Sequence, residues 1–223
     1  MKRTKLCDRQ LPSYSKGEER MNTITHIVGA ALGIIALILC LIHAAWNRNL
    51  YGVIGSAIYG VSLITLYTMS SVYHGLKPGM PKKVMQVLDH CTIYFLIAGT
   101  YTVLVLSAIR PVFPAIGWGL FVFEWSVAAI ATTLTAIDLR KYRVLSMICY
   151  IGLGWAILPF AGQAMEVLTP AGFLFLLLGG IVYTIGAILY GVGVRRKWMH
   201  SVFHIFVLLG SILQFFAVLL YAL

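Results

Sequence analysis

Two histidines four residues apart, His200 and His204 in the stretch HSVFH, open the last apolar segment of the chain. On a helix this spacing presents two imidazoles from one face, a spacing that zinc sites use. The stretch lacks the glutamate of H-E-x-x-H, because Ser201, Val202 and Phe203 fill the gap, so a carboxylate base has to come from another helix. His74 is a candidate third ligand. Three imidazoles leave one tetrahedral position for a water, whose pKa zinc lowers to about 7. Asp89 is the candidate to hold or deprotonate that water, and Ser70, one turn before His74, to assist by hydrogen bonding. Plainer readings stand beside these. A lone i, i+4 histidine pair also serves as a hydrogen-bonded or interfacial pair, His74 as a helix-end residue, and Asp89 as a charge suited to the positive end of its helix.

The elements that must position these residues follow from composition. Of 223 residues, 60% are hydrophobic and 11% charged, against about 25% charged in soluble domains. Runs of roughly 20 apolar residues span a bilayer core as helices. Seven stretches qualify, at 22–45, 50–75, 84–109, 112–137, 144–161, 171–194 and 198–223, joined by short links rich in Pro, Gly and Lys/Arg. The fifth is the weakest, with Pro159 near its end. The chain thus reads as an all-α, seven-helix transmembrane bundle over 22–223, preceded by a polar tail over 1–21. The tail lacks the apolar stretch of a signal peptide. Cys7, Cys40, Cys91 and Cys149 form no C-x-x-C and suggest neither a disulfide framework nor a thiolate metal site. Gly29 and Gly33 on the first span, and Gly52, Ser56 and Gly60 on the second, provide small-residue faces for close helix packing.

The net charge of +10 excludes nucleic acid as a partner by its placement: the basic residues sit in short clusters between apolar runs, with no basic helix. Fifteen of the seventeen Lys and Arg fall in the tail and in the loops on its side, leaving Arg48 and Arg110 opposite. The positive-inside rule puts the N-terminus in the cytoplasm and the C-terminus outside. Membrane lipid is the expected partner.

This topology brings distant residues to one depth. His26, His74, His90, His200 and His204 all lie toward the tail side, with only His43 of the six histidines on the other. At 100° per residue, His200, His204, Ser211 and Gln214 share an arc of about 80°. Asp89, Thr92, Thr100 and Ser107 share another, and Tyr67, Ser70 and His74 a third. Polar stripes avoid lipid, so these three should face one another or a partly wet cavity. His90 is rotated away from Asp89 and should point elsewhere. Glu18 and Glu19 read as solvated or capping residues, Asn22 as an N-cap of the first span, and His26 as a structural hydrogen-bonder. Glu124, mid-span in FVFEWSV, is either a structural partner or a cavity-lining acid.

Four ordered stretches carry a family resemblance: EERMNTITH (Glu18 to His26), SSVYH (Ser70 to His74), LDHCTIYFLIAGTYT (with Asp89 and His90) and HSVFH. They resemble the signatures of haemolysin III proteins, the prokaryotic branch of the progestin and adipoQ receptor family, over nearly the whole chain from Glu18. The resemblance implies a seven-helix bundle with a cytoplasmic-side zinc held by His74, His200 and His204, and with Asp89 and Ser70 beside the metal-bound water. The wider superfamily includes alkaline ceramidases, which hydrolyse a lipid amide at a similar site. The cytolytic label of some members has no counterpart in these residues, which include no amphipathic pore-forming segment. Two functions therefore stand. One is a zinc-dependent hydrolase of a lipid amide or ester. The other is a non-enzymatic lipid sensor, channel or cytolytic protein whose zinc is a strut.

Overall fold

The computed structural model describes residues 3–193 and 196–223. Helix α1, Lys16–Trp46, starts six residues ahead of the apolar run. Its cap is Ser15, whose Oγ accepts from the Glu18 N–H while the Glu18 carboxylate accepts from the Ser15 N–H, a reciprocal capping box. Asn22, expected as the cap, lies inside the helix and is fully buried. Helix α2 is Leu50–Gly75, capped by the Asn49 side chain. Helix α3 is Met80–Val112, entered through Pro81 and loosened into a π-turn over Leu104–Ile109. Helix α4 is Pro114–Ile137 and α5 is Arg143–Gly154. Helix α6 is Ala161–Gly193, and α7 is Met199–Ala222.

The region expected to hold the fifth and sixth spans departs from the sequence reading. Helix α5 stops after 12 residues, the chain passes through a 3₁₀ turn at Leu158–Phe160 that contains Pro159, and α6 then starts ahead of the expected sixth span. A break in α6 falls at Thr169, whose φ of 64° and following Pro170 interrupt the helical ladder. By length and composition the described residues hold six apolar stretches able to cross a membrane, one of which is the 51-residue run Arg143–Gly193.

Helix α3 is the axis of the bundle: 78% of its most apolar window is buried, against 28–50% for the others. Around it pack α2, α4 and α5, while α1 and α6 pack on α2 and α7. On α1 the buried face is polar or small and the outer face greasy, while buried Leu, Val and Tyr fill the middle of the bundle. The buried face of α1 is Glu18, Asn22, His26, Gly29, Gly33, Ala36, Cys40 and Ala44, and Ile24, Ile27, Ile38 and Ile42 point outward. This inversion suits a lipid solvent, in which apolar side chains gain nothing by burial and small residues allow close backbone approach. A Cβ on Gly29 would meet the Tyr67 ring at 2.4 Å, and one on Gly60 would meet Leu37 at 2.5 Å, so these glycines bring α1 and α2 together.

The tail is strapped across the end of the bundle. The Thr4 N–H donates to Asp138 Oδ2 at 2.7 Å, Arg3 donates to the Ile137 carbonyl at 3.1 Å, and Lys83 donates to the Cys7 carbonyl. Asp138 also accepts from the Arg140 and Lys141 N–H groups. The Thr4 N–H, then those of Lys141 and Arg140 and the charge of Arg9, hold the Asp138 carboxyl below its usual range. A carboxyl depressed in the folded state stabilises the strap fully above its ordinary pKa of about 3.9, and loses that contribution as pH falls through the depressed value. A spin label on the exposed Cys7, in a Cys149→Ser background, should be immobile at neutral pH and gain mobility in that acid window. In Asp138→Asn it should be mobile at pH 7; unchanged mobility in that variant would contradict the anchor.

Candidate metal centre

Two helix ends supply the three histidines. His74 comes from the last turn of α2, and His200 and His204 from the first turns of α7. Glu18 sets the entry of α7: its Oε1 accepts from the Trp198 N–H at 2.6 Å, where the backbone takes a left-handed turn at φ 68°. The same carboxylate thus caps α1 and holds the start of α7 against it.

The three rings converge through their Nε2 atoms. His200 Nε2 lies 3.1 Å from His74 Nε2 and 3.0 Å from His204 Nε2, and the three histidines place one ligand atom each within 4.8 Å of one another. His74 and His204 are 2% and 1% exposed. Nitrogens held by one tetrahedral zinc at about 2.0–2.1 Å lie about 3.3 Å apart, so the spacing is that of a ligand set. The donor chemistry agrees. Without a cation, one proton on His200 would have to be shared between two acceptors, whereas a divalent ion satisfies all three lone pairs. The residues fit a metal ion.

Aromatic rings pack the triad in. His26 stacks on His204 with centroids 3.7 Å apart and planes 17° from parallel, and meets the Tyr67 ring edge-on. Neither ring nitrogen of His26 has a hydrogen-bond partner among the described residues, so it packs and does not act as the expected hydrogen-bonder. From the tail, Tyr14 stacks on His200 at 4.9 Å and 20°. Burial there pushes its phenol well above the usual tyrosine range, so it caps the site as a neutral ring.

A cavity of about 160 Å³ runs from His200 and His204 into the bundle. Ser70 and Asp89 line it. Ser70 is 1% exposed and its Oγ has no partner among the described residues. Asp89 stands outside the group of converging ligand atoms. His90, expected to point elsewhere, lines the cavity as well, with Nδ1 donating to the Gln86 carbonyl at 2.8 Å and 3.6 Å from Asp89 Oδ2. Of the polar residues expected to extend the site, Thr100 and Gln214 line the cavity. Ser211 instead joins Tyr67 and Tyr183 at 2.6 and 2.7 Å, and Ser107 donates to the Ala222 carbonyl at 2.7 Å. Both tie helices together. Leu66, Ile93, Leu96, Ile97, Leu176 and Val207 supply much of the remaining wall, so the cavity is more apolar than the stripes suggest.

Sequence reasoning missed Glu19, read as solvated or capping. Its Oε2 lies 2.7 Å from His74 Nδ1 and its Oε1 2.7 Å from Lys82 Nζ. The missed signal was the turn-by-turn spacing of Glu19, Asn22 and His26 on one face of α1. Glu124 is fully buried, neither carboxylate oxygen has a partner among the described residues, and it does not line the cavity.

Known proteins resemble the chain over most of its length. A family model described as haemolysin-III related matches residues 14–215. Hemolysin-3 of Bacillus cereus is 39% identical over 206 residues, covering 92% of each chain. A Hemolysin-3 homolog of Bacillus subtilis (strain 168) is 35% identical over 204 residues, covering 92% of this chain and 94% of the relative. The human monocyte to macrophage differentiation factor is 27% identical over 212 residues, covering 90% and 83%. With long apolar helices, a buried histidine triad and relatives matched almost end to end, the chain belongs to the haemolysin III-related family of multi-pass cell-membrane proteins.

Proposed function

We propose that His74, His200 and His204 hold zinc and that the protein hydrolyses an amide or ester bond of a membrane lipid. The observation that carries this reading is that the three Nε2 atoms converge at one end of a largely apolar cavity whose wall also bears Asp89 and Ser70. Zinc there supplies a Lewis acid and the means to acidify water at neutral pH. The chain's own residues do the rest. The apolar wall takes the hydrocarbon part of the substrate and excludes bulk water, leaving the scissile carbonyl at the histidine end. Asp89 accepts the proton of the attacking water and returns it to the leaving amine or alcohol. Ser70, with a free hydroxyl beside the cavity, donates to the oxygen that gains negative charge. Three protein ligands leave a position open, as catalytic zinc sites do, whereas structural sites close with four.

A second reading keeps the zinc as a strut joining α2 to α7, and is favoured by the position of Asp89 outside the converging atoms. Under it the protein is a sensor, channel or lytic protein; two relatives carry the name hemolysin.

The orientation we propose has the N-terminus in the cytoplasm and seven passes. The 51-residue run Arg143–Gly193 would extend about 75 Å as one helix, more than twice a bilayer core of about 30 Å. Its break at Thr169 divides it into two passes. A reporter fused after Leu223 should be active only in the outer compartment, and activity only in the cytoplasm would overturn the orientation.

Asp89→Asn separates the two functions. The variant keeps the size of the side chain and can still hydrogen-bond, but it cannot take a proton. Assayed with ceramide-like and phospholipid substrates, it should retain metal and lose turnover by about 10²–10⁴-fold. Full hydrolysis by a variant that retains its metal would remove the role given to Asp89. Wild-type protein without hydrolysis, and lytic activity indifferent to the substitution, would favour the strut.

A further inference from the structure

The three histidines are held unequally. The Nδ1 atoms of His200 and His204 are buried and have no hydrogen-bond partner among the described residues, while the His204 ring lies near the Asn22 backbone. His74 is different. Its Nδ1 lies 2.7 Å from Glu19 Oε2 and 3.4 Å from Asn22 Nδ2. A carboxylate only accepts and an amide nitrogen only donates, so the two contacts ask for opposite tautomers. The shorter, charge-assisted one decides. The proton therefore sits on Nδ1, and the Nε2 lone pair faces His200 and His204.

Glu19 is itself held. Its other oxygen accepts from Lys82 Nζ at 2.7 Å, and that ammonium, on a side chain 3% exposed, also donates to the Leu76 carbonyl at 3.0 Å and the His74 carbonyl at 3.4 Å. One lysine from the first turn of α3 thus fixes both the carboxylate that orients the His74 ring and the last turn of α2 that carries it.

We propose that Glu19 is the positioning residue of the metal centre, setting the His74 tautomer and the basicity of its Nε2, and that Lys82 holds its carboxylate in place. Partners of this kind typically change metal affinity 10–100-fold. The inference rests on the metal reading above and can fail separately from it.

The test is zinc titration against a competing chelator, using the metal-stripped full chain in detergent, beside thermal melting of the stripped forms. Glu19→Gln preserves shape and removes the charge. It should weaken zinc binding by about 10–100-fold, and because it leaves the buried Lys82 ammonium unpaired its stripped form should melt lower than wild type. Glu19→Gln with Lys82→Met removes that charge; the pair should bind zinc at least about 10-fold more weakly than wild type while its stripped form melts close to wild type. Wild-type affinity in either variant, or a loss in the pair matched by a lower melting temperature of its stripped form, would overturn the positioning role. His204→Ala supplies the reference for a lost ligand. Wild-type protein that takes up no zinc would overturn the metal reading, and this inference with it.

Discussion

Three imidazole nitrogens face one another at about 3 Å inside an apolar bundle, from helices that are far apart in sequence. Lone pairs so arranged repel unless something positive lies between them. The fold around the triad is organised to hold that arrangement. Glu18 ties the start of α7 to the start of α1, Glu19 and Lys82 join α1, α2 and α3 around His74, and His26 and Tyr14 fill the space beside the rings. Little in this region is explained by apolar burial, which drives no helix association in lipid. Polar contacts and close packing at small residues do that work instead.

The same constraint shapes the molecule further in. Some polar groups below the triad are paired across helices, as in the Tyr67–Ser211–Tyr183 cluster, and others line the cavity, as Thr100 does; Gln214 does both, donating to the Leu176 carbonyl at 3.0 Å. Pairing rigidifies the bundle, and lining leaves the cavity open. Within the apolar stretches, irregular backbone falls at the α5–α6 connection, at Thr169 and in the π-turns of α3 and of α7, the latter over Val218–Ala222. There, protein or cavity rather than lipid has to satisfy the loosened backbone groups.

Much of this was legible in the residues. HSVFH and its inward arc follow from helical periodicity, and the gathering of His74, His200 and His204 at one depth follows from counting spans and charges. Less legible was whatever depends on rotation by one residue or on a non-helical step. Glu18 and Glu19 are adjacent, 100° apart, and only the packed helices show that one caps α1 while the other reaches His74. His90 follows Asp89, and both reach the cavity because its wall is wider than one helical stripe. The further break at Thr169 was hidden because the apolar run continues past the 3₁₀ turn that holds Pro159.

The central claim is that the histidine triad is a metal site. X-ray absorption at the zinc edge, on the purified full chain loaded with one equivalent of zinc, examines it most directly. A triad that holds zinc should show three imidazole nitrogens at about 2.0–2.1 Å and one oxygen ligand, with no sulfur in the shell. A shell with sulfur, or zinc bound without imidazole, would contradict it.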